Sequence, residues 1–63
     1  MNLRNQVDLI YKLVKKQKDG ANIYEIAYWI DRSPTTVIRL VKILVKVYPC
    51  ELDNEMVRCQ DNA

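Results

Sequence analysis

Thr35, Arg39, Lys42 and Lys46 carry the most distinctive chemistry in this sequence. On a helix, these four residues fall within about 60 degrees of one another at about 100 degrees per residue. Cations and a hydroxyl on one narrow strip, with no acidic residue between Pro34 and Val47, suit contact with phosphate or with base edges. A lysine-rich strip is also a common form of solvated face. Here the hydroxyls of Ser33, Thr35 and Thr36 at the start of the segment, and Arg32 just before it, favour the binding role.

Other chemistry is scarce. The 63 residues include no histidine, no glycine-rich phosphate loop and no carboxylate pair on a common face, so no enzyme is expected. Two cysteines without histidine fall short of the four ligands of a structural zinc site, and no cofactor, metal or small-molecule ligand is implied. Ten Lys and Arg against eight Asp and Glu give a net charge of +2, too mild to imply nucleic acid by itself. With 49% apolar residues the chain reads as one globular domain over 1–63, of a size at which a single core stabilises by only a few kcal/mol. No segment is long and apolar enough to span a bilayer, and the first residues lack a signal-peptide core. The expected location is therefore the cytoplasm, on the nucleoid when bound to DNA.

The strip needs a scaffold, and the periodicity supplies one. Leu3, Val7, Ile10 and Val14 have the spacing of one helical face, predicting a first helix over about 3–18. Leu9 and Leu13 lie off that face and form a second apolar strip, to be covered by the domain or by a second copy of the chain. Lys12, Lys15, Lys16 and Lys18 crowd the last turns, where they suit the negative end of the helix dipole, the alternative being a direct role in binding phosphate. Asp19-Gly20 ends the helix, with Gly20 as a left-handed C-cap, and Ala21 is a short bridge.

Asn22 followed by Glu25 resembles a capping box and opens a second helix over about 23–30, with Ile23, Ile26, Ala27 and Ile30 inward. Tyr24, Tyr28 and Trp29 complete the core or an interface, or stack on bases. Ser33-Pro34 opens a third helix over about 34–47, with Ser33 as N-cap and Pro34 at the first helical position. Val37, Leu40, Val41, Leu44 and Tyr48, flanked by Ile38, Ile43, Val45 and Val47, make an apolar arc of roughly 200 degrees or more. This helix should be the central and most buried one.

After Pro49 the pattern alternates, predicting a hairpin over about 48–60 with its turn at Asp53-Asn54-Glu55. Pairing Leu52 with Val57, Glu51 with Arg58 and Cys50 with Cys59 puts apolar pairs on one face and an opposite-charge pair on the other. In that register Cys50 and Cys59 are either disulfide-bonded or two reduced, half-buried thiols.

Ile26-Ala27, Ile30, Ser33-Pro34-Thr35-Thr36-Val37 and Arg39-Leu40 together resemble the helix-turn-helix of winged-helix DNA-binding regulators, of the small prokaryotic, archaeal or viral type. Ala27 stands where that family has a small residue at the helix crossing, and the hairpin stands where it has its wing. The resemblance covers about Ala21 to Gln60 and implies an α+β, three-helix winged helix-turn-helix. Asp31 occupies a turn position usually held by glycine, and Asp tolerates the left-handed conformation. Glu51, Asp53 and Glu55 replace the usual basic wing tip, leaving Arg58 as the hairpin's only cation.

The expected function is sequence-specific binding of double-stranded DNA, as a transcriptional regulator. The third helix enters the major groove, where Ser33, Thr35 and Thr36 contact phosphate or base edges and Arg39 addresses a guanine. Lys42, Lys46 and Arg32 hold flanking phosphates. A homodimer through Leu9 and Leu13 raises affinity on a two-fold site. The alternatives are a winged-helix module that binds protein, with the acidic hairpin and the aromatics as its surface, and a recombination or replication accessory factor.

Overall fold

A computed structural model of the protein describes residues 3–60, and the side chain of Leu3, expected on the inward face of the first helix, lies outside the described residues. The elements in chain order are α1 (Leu3–Lys15), β1 (Ala21–Asn22), α2 (Ile23–Ile30), α3 (Pro34–Val47), β2 (Cys50–Asp53) and β3 (Met56–Cys59). The fold is α+β: three helices and a three-stranded antiparallel sheet in the order β1-β3-β2.

Local signals set both ends of α2 and α3. Asn22 accepts at Oδ1 from the backbone N–H of Tyr24 (2.7 Å), and its own N–H donates to Glu25 Oε1 (3.1 Å), which completes the capping box. Asp31 ends α2 in the left-handed region (φ 57°, ψ 49°), and the backbone N–H groups of Asp31 and Arg32 both go to the Ala27 carbonyl. An Asp accepts this conformation at lower cost than most residues, so the turn forms without glycine. Ser33 Oγ then accepts from Thr36 N (3.3 Å), and Pro34 opens α3.

The first helix stops earlier than periodicity predicts, at Lys15 instead of residue 18. Val14 is its last buried residue, and Lys15, Lys16, Gln17, Lys18 and Asp19 are all exposed, so no packing holds a further turn. The chain instead closes two tight turns, Gln17 N to Val14 O (2.9 Å) and Gly20 N to Gln17 O (3.2 Å). Gly20 is left-handed (φ +86°), but it lies five residues past the end of α1 rather than directly at its C-cap. From there Ala21 and Asn22 form β1, an element absent from the expected pattern, and pair with Val57 and Met56.

The hairpin has the expected register: Cys50↔Cys59, Glu51↔Arg58 and Leu52↔Val57, with Asp53↔Met56 closing a two-residue turn whose Asn54 is left-handed (φ 61°). Glu51 and Arg58 are opposite in backbone register, yet the guanidinium of Arg58 pairs with Asp53 Oδ2 (3.8 Å). Asp53 is two residues along on the same face as Glu51, within diagonal reach of a long side chain. A carboxylate pair does share a face here, contrary to expectation. Cys50 and Cys59 are joined in a disulfide. The bridge closes a loop with a sequence separation of nine, for which the chain-entropy model gives about 2–3 kcal/mol. The double variant Cys50→Ser/Cys59→Ser should therefore melt about 10–20 °C below the parent in a circular dichroism thermal scan. Reductant should lower the parent by the same amount, and a parent indifferent to reductant would show that the bridge does not form.

The core joins Val7, Ile10 and Val14 of α1, Ala21, Ile23, Ile26 and Ala27, Val37, Leu40, Val41 and Leu44 of α3, and Val57 of the middle strand. α3 packs against α1, α2 and β2 and is central, as periodicity predicts. Its buried arc is narrower than expected, however. Ile38, Val45 and Tyr48 pack on the core, giving an arc of about 160 degrees. Ile43 and Val47, on the other flank, stay 39% and 46% exposed. The end of α3 is fastened to α1 through Tyr48, whose ring stacks on Tyr11 (centroids 4.0 Å apart) and whose hydroxyl donates to the Asp8 carboxylate. Arg4 pairs with the same carboxylate at 3.4 Å. The hydrogen bond to Asp8, seconded by burial, raises the Tyr48 pKa above its ordinary value, which keeps the hydroxyl a donor throughout the neutral range.

Candidate nucleic-acid interface

Thr35, Arg39, Lys42 and Lys46 are all exposed. Their helical positions place them directly opposite Val37, Leu40, Val41 and Leu44, the side on which α3 is buried. The core therefore orients the strip, because any rotation of α3 that hid a cation would lift one of these four apolar residues out of the interior. α3 contains no acidic residue, so nothing on the helix itself neutralises the strip.

The hydroxyls expected to accompany the strip divide by role. Ser33 Oγ accepts from the Thr36 backbone and lies 3.0 Å from Thr36 Oγ1, so this pair is engaged in starting the helix. Thr35 is exposed between them, with its side chain on the same strip as Arg39. Arg32 is exposed in the turn and is also held by the scaffold. With the Gln6 amide oriented so that its oxygen faces the guanidinium, that oxygen accepts from Arg32 Nη2 (2.9 Å) and Nε (3.1 Å). Gln6 is the one buried polar side chain among the described residues, and it ties α1 to the turn between α2 and α3. Sequence reasoning overlooked it. The available signal was its place four residues before Ile10, which puts a polar group at the edge of a buried face and demands a partner there.

The hairpin does not bring a second cationic surface. β1 pairs with Val57 and Met56, beside the turn, and the Glu55 carbonyl accepts from Ile23 N at 2.9 Å. Tyr24 donates its hydroxyl to Glu55 Oε2 (3.2 Å), a contact that raises the tyrosine pKa. The turn is thus pinned to the start of α2. Its charged groups are mostly acidic, and Arg58 is paired with Asp53. The tip residues Asp53 and Glu55 are exposed, as is Glu51.

Leu9 and Leu13 separate in the structure: Leu9 is 44% exposed, whereas Leu13 is half-buried. Tyr28 is 85% exposed, and Tyr24 and Trp29 also reach the surface, so none of the three aromatics of α2 completes the core. Among the described residues no cluster of His, Cys, Asp and Glu is arranged to hold a metal ion, and no helix is long and apolar enough to cross a membrane.

What fold and surface define together is a small α+β domain that presents one acid-free basic strip on a helix backed by its core. Comparison with protein-family models, curated proteins and solved structures finds no match for this chain.

Proposed function

We propose that the chain is a winged-helix protein that binds double-stranded DNA, inserting α3 into the major groove, and that it acts inside the cell as a transcriptional regulator. The observation that carries this reading is the strip of Thr35, Arg39, Lys42 and Lys46, exposed, free of acids along its helix and opposite the buried face. Arg39 lies in the second turn of α3, close enough to the helix start to address a guanine edge in bidentate fashion. Lys42 and Lys46 follow on the same strip and serve flanking phosphates, with Thr35 near the entry and Arg32, braced by Gln6, beside it. Ser33 and Thr36 support the interface by capping the helix that carries it. The acidic, pinned hairpin turn plays the part of a shortened wing that stays out of the minor groove, with Arg58 a peripheral contact at most. The same surface would serve a recombination or replication accessory factor.

A single module of this size makes few contacts, so a homodimer on a two-fold site is the natural way to useful affinity. The described residues extend 29 × 21 × 17 Å, which allows two copies to sit on half-sites one turn, about 34 Å, apart. The exposed Leu9, with Leu13 behind it, is the proposed contact between copies.

Fluorescence anisotropy titrations of the protein on random-sequence duplex DNA between 50 and 200 mM salt test the reading. The logarithm of the affinity is expected to fall with the logarithm of salt with a slope of about −2 to −4, for two to four neutralised phosphates. Binding indifferent to salt, or no binding at low salt, would reject DNA in favour of a protein-binding module. The exposed aromatic surface of α2, led by Tyr28, is the feature that favours that second reading.

A further inference from the structure

We infer that Ile43 is a specificity-determining residue, packing against the C5-methyl group of a thymine one or two base steps from the base addressed by Arg39. The inference rests on the DNA-binding reading above and names part of the sequence that α3 would prefer.

Ile43 is a large apolar side chain left 39% exposed, and it is not among the residues packed on the core. It follows Arg39 by four residues, so the two are neighbours on the helix surface, about 6 Å apart along the axis. On the helical wheel Ile43 stands about 40 degrees from Arg39, and about 60 and 100 degrees from the core residues Leu40 and Leu44, which puts it on the strip's border. Whatever covers Ile43 must therefore also meet Arg39, and Lys46 beyond it. That charge selects a polyanion as the occupant in preference to an apolar protein surface.

In the major groove only thymine displays a methyl group, and an apolar side chain is its usual partner. Bases along one strand are about 3.4 Å apart, so a 6 Å offset on the helix corresponds to one or two steps. Val47 lies a further turn away at the last residue of α3, about 12 Å from Arg39, and is too distant for the same pair of bases. Arg39 and Ile43 together would read a guanine with a nearby thymine, which no arrangement of phosphate contacts can encode.

The experiment begins with the duplex selected by the full chain from a random pool. Each thymine in it is replaced singly by deoxyuridine, which lacks only the methyl, and anisotropy titrations compare the parent with Ile43→Ala. At one position the parent should lose about four-fold in affinity, the equivalent of one buried methyl. Ile43→Ala should bind the thymine and deoxyuridine duplexes within about two-fold of each other. A parent that ignores every replacement while keeping its salt-dependent binding overturns the role of Ile43 and leaves the DNA-binding reading standing. A methyl effect of equal size in parent and variant assigns the contact to another residue and overturns it too. Equal weakening of Ile43→Ala on all duplexes, with conversion of a dimer to monomer in sedimentation, would make Ile43 a subunit contact instead. Absence of parent binding at low salt removes both readings together. Should Ile43→Ala fold poorly, Ile43→Gln, a good helix former without an apolar end, takes its place in the same comparison.

Discussion

Replacing Arg39, Lys42 and Lys46 together by alanine should weaken binding to duplex DNA by roughly 100- to 1,000-fold near 0.1 M salt. The three side chains are exposed and opposite the core, so the variant should keep its fold, as a thermal scan can verify. The single substitutions separate their roles. Arg39→Ala should cost about 1–3 kcal/mol on the preferred sequence and much less on random DNA, because a bidentate contact to a base is lost. Lys42→Ala and Lys46→Ala should each weaken all sequences alike and reduce the salt slope by about 1. An Arg39→Ala loss that is equal on every sequence would show that Arg39 contacts phosphate and does not read a base. Retained affinity in the triple variant would move the interface elsewhere, with the aromatics of α2 the next surface to test.

The largest expected loss of stability comes from Gly20→Ala. A Cβ at this position would lie 2.5 Å from the Val57 carbonyl oxygen and 2.8 Å from Arg58 Cγ, at a backbone φ of +86°. The arginine carbon can swing away, but the Val57 carbonyl belongs to the middle strand, which both other strands hold in place. Left-handed backbone costs an L-residue about 1–2 kcal/mol, and overpacking about 1–3 kcal/mol more. The sum, about 3 kcal/mol, should lower the melting temperature by about 12–24 °C. Gly20→Asn tests the division. Asn tolerates the left-handed region yet carries a Cβ, so it should be almost as unstable as Ala if the Val57 contact dominates. Recovery with Asn would show that backbone conformation alone makes the demand.

Gly20 also shows where sequence reasoning stops. Its left-handed φ was legible from its type and its place after a lysine-rich helix end. The reason for it was not, because the carbonyl it must avoid is 37 positions away, in β3. The same distinction separates the parts of the fold that were readable from those that were not. Asn22 with Glu25, and Ser33 with Pro34, act within a few residues, and they place α2 at Ile23–Ile30 and α3 at Pro34–Val47, as the sequence predicts. The hairpin register was equally legible, since only one alignment of Cys50–Leu52 with Val57–Cys59 matches apolar with apolar and acid with base. The sequence does not decide whether Cys50 and Cys59 are bonded, because register permits a bridge without requiring one. The end of α1, the strand β1 and the Gln6–Arg32 brace all depend on partners distant in the chain.

For the candidate site, the sequence by itself determined which residues could share a strip: helical spacing fixes that Thr35, Arg39, Lys42 and Lys46 lie together wherever the helix goes. Only the tertiary structure decided that this strip faces outward and that Ile43 stays at the surface beside Arg39. Helical periodicity marks the sides a helix has. Which side is covered depends on how much apolar surface its neighbours offer, and in so small a domain α1, α2 and the sheet cover less than α3 presents.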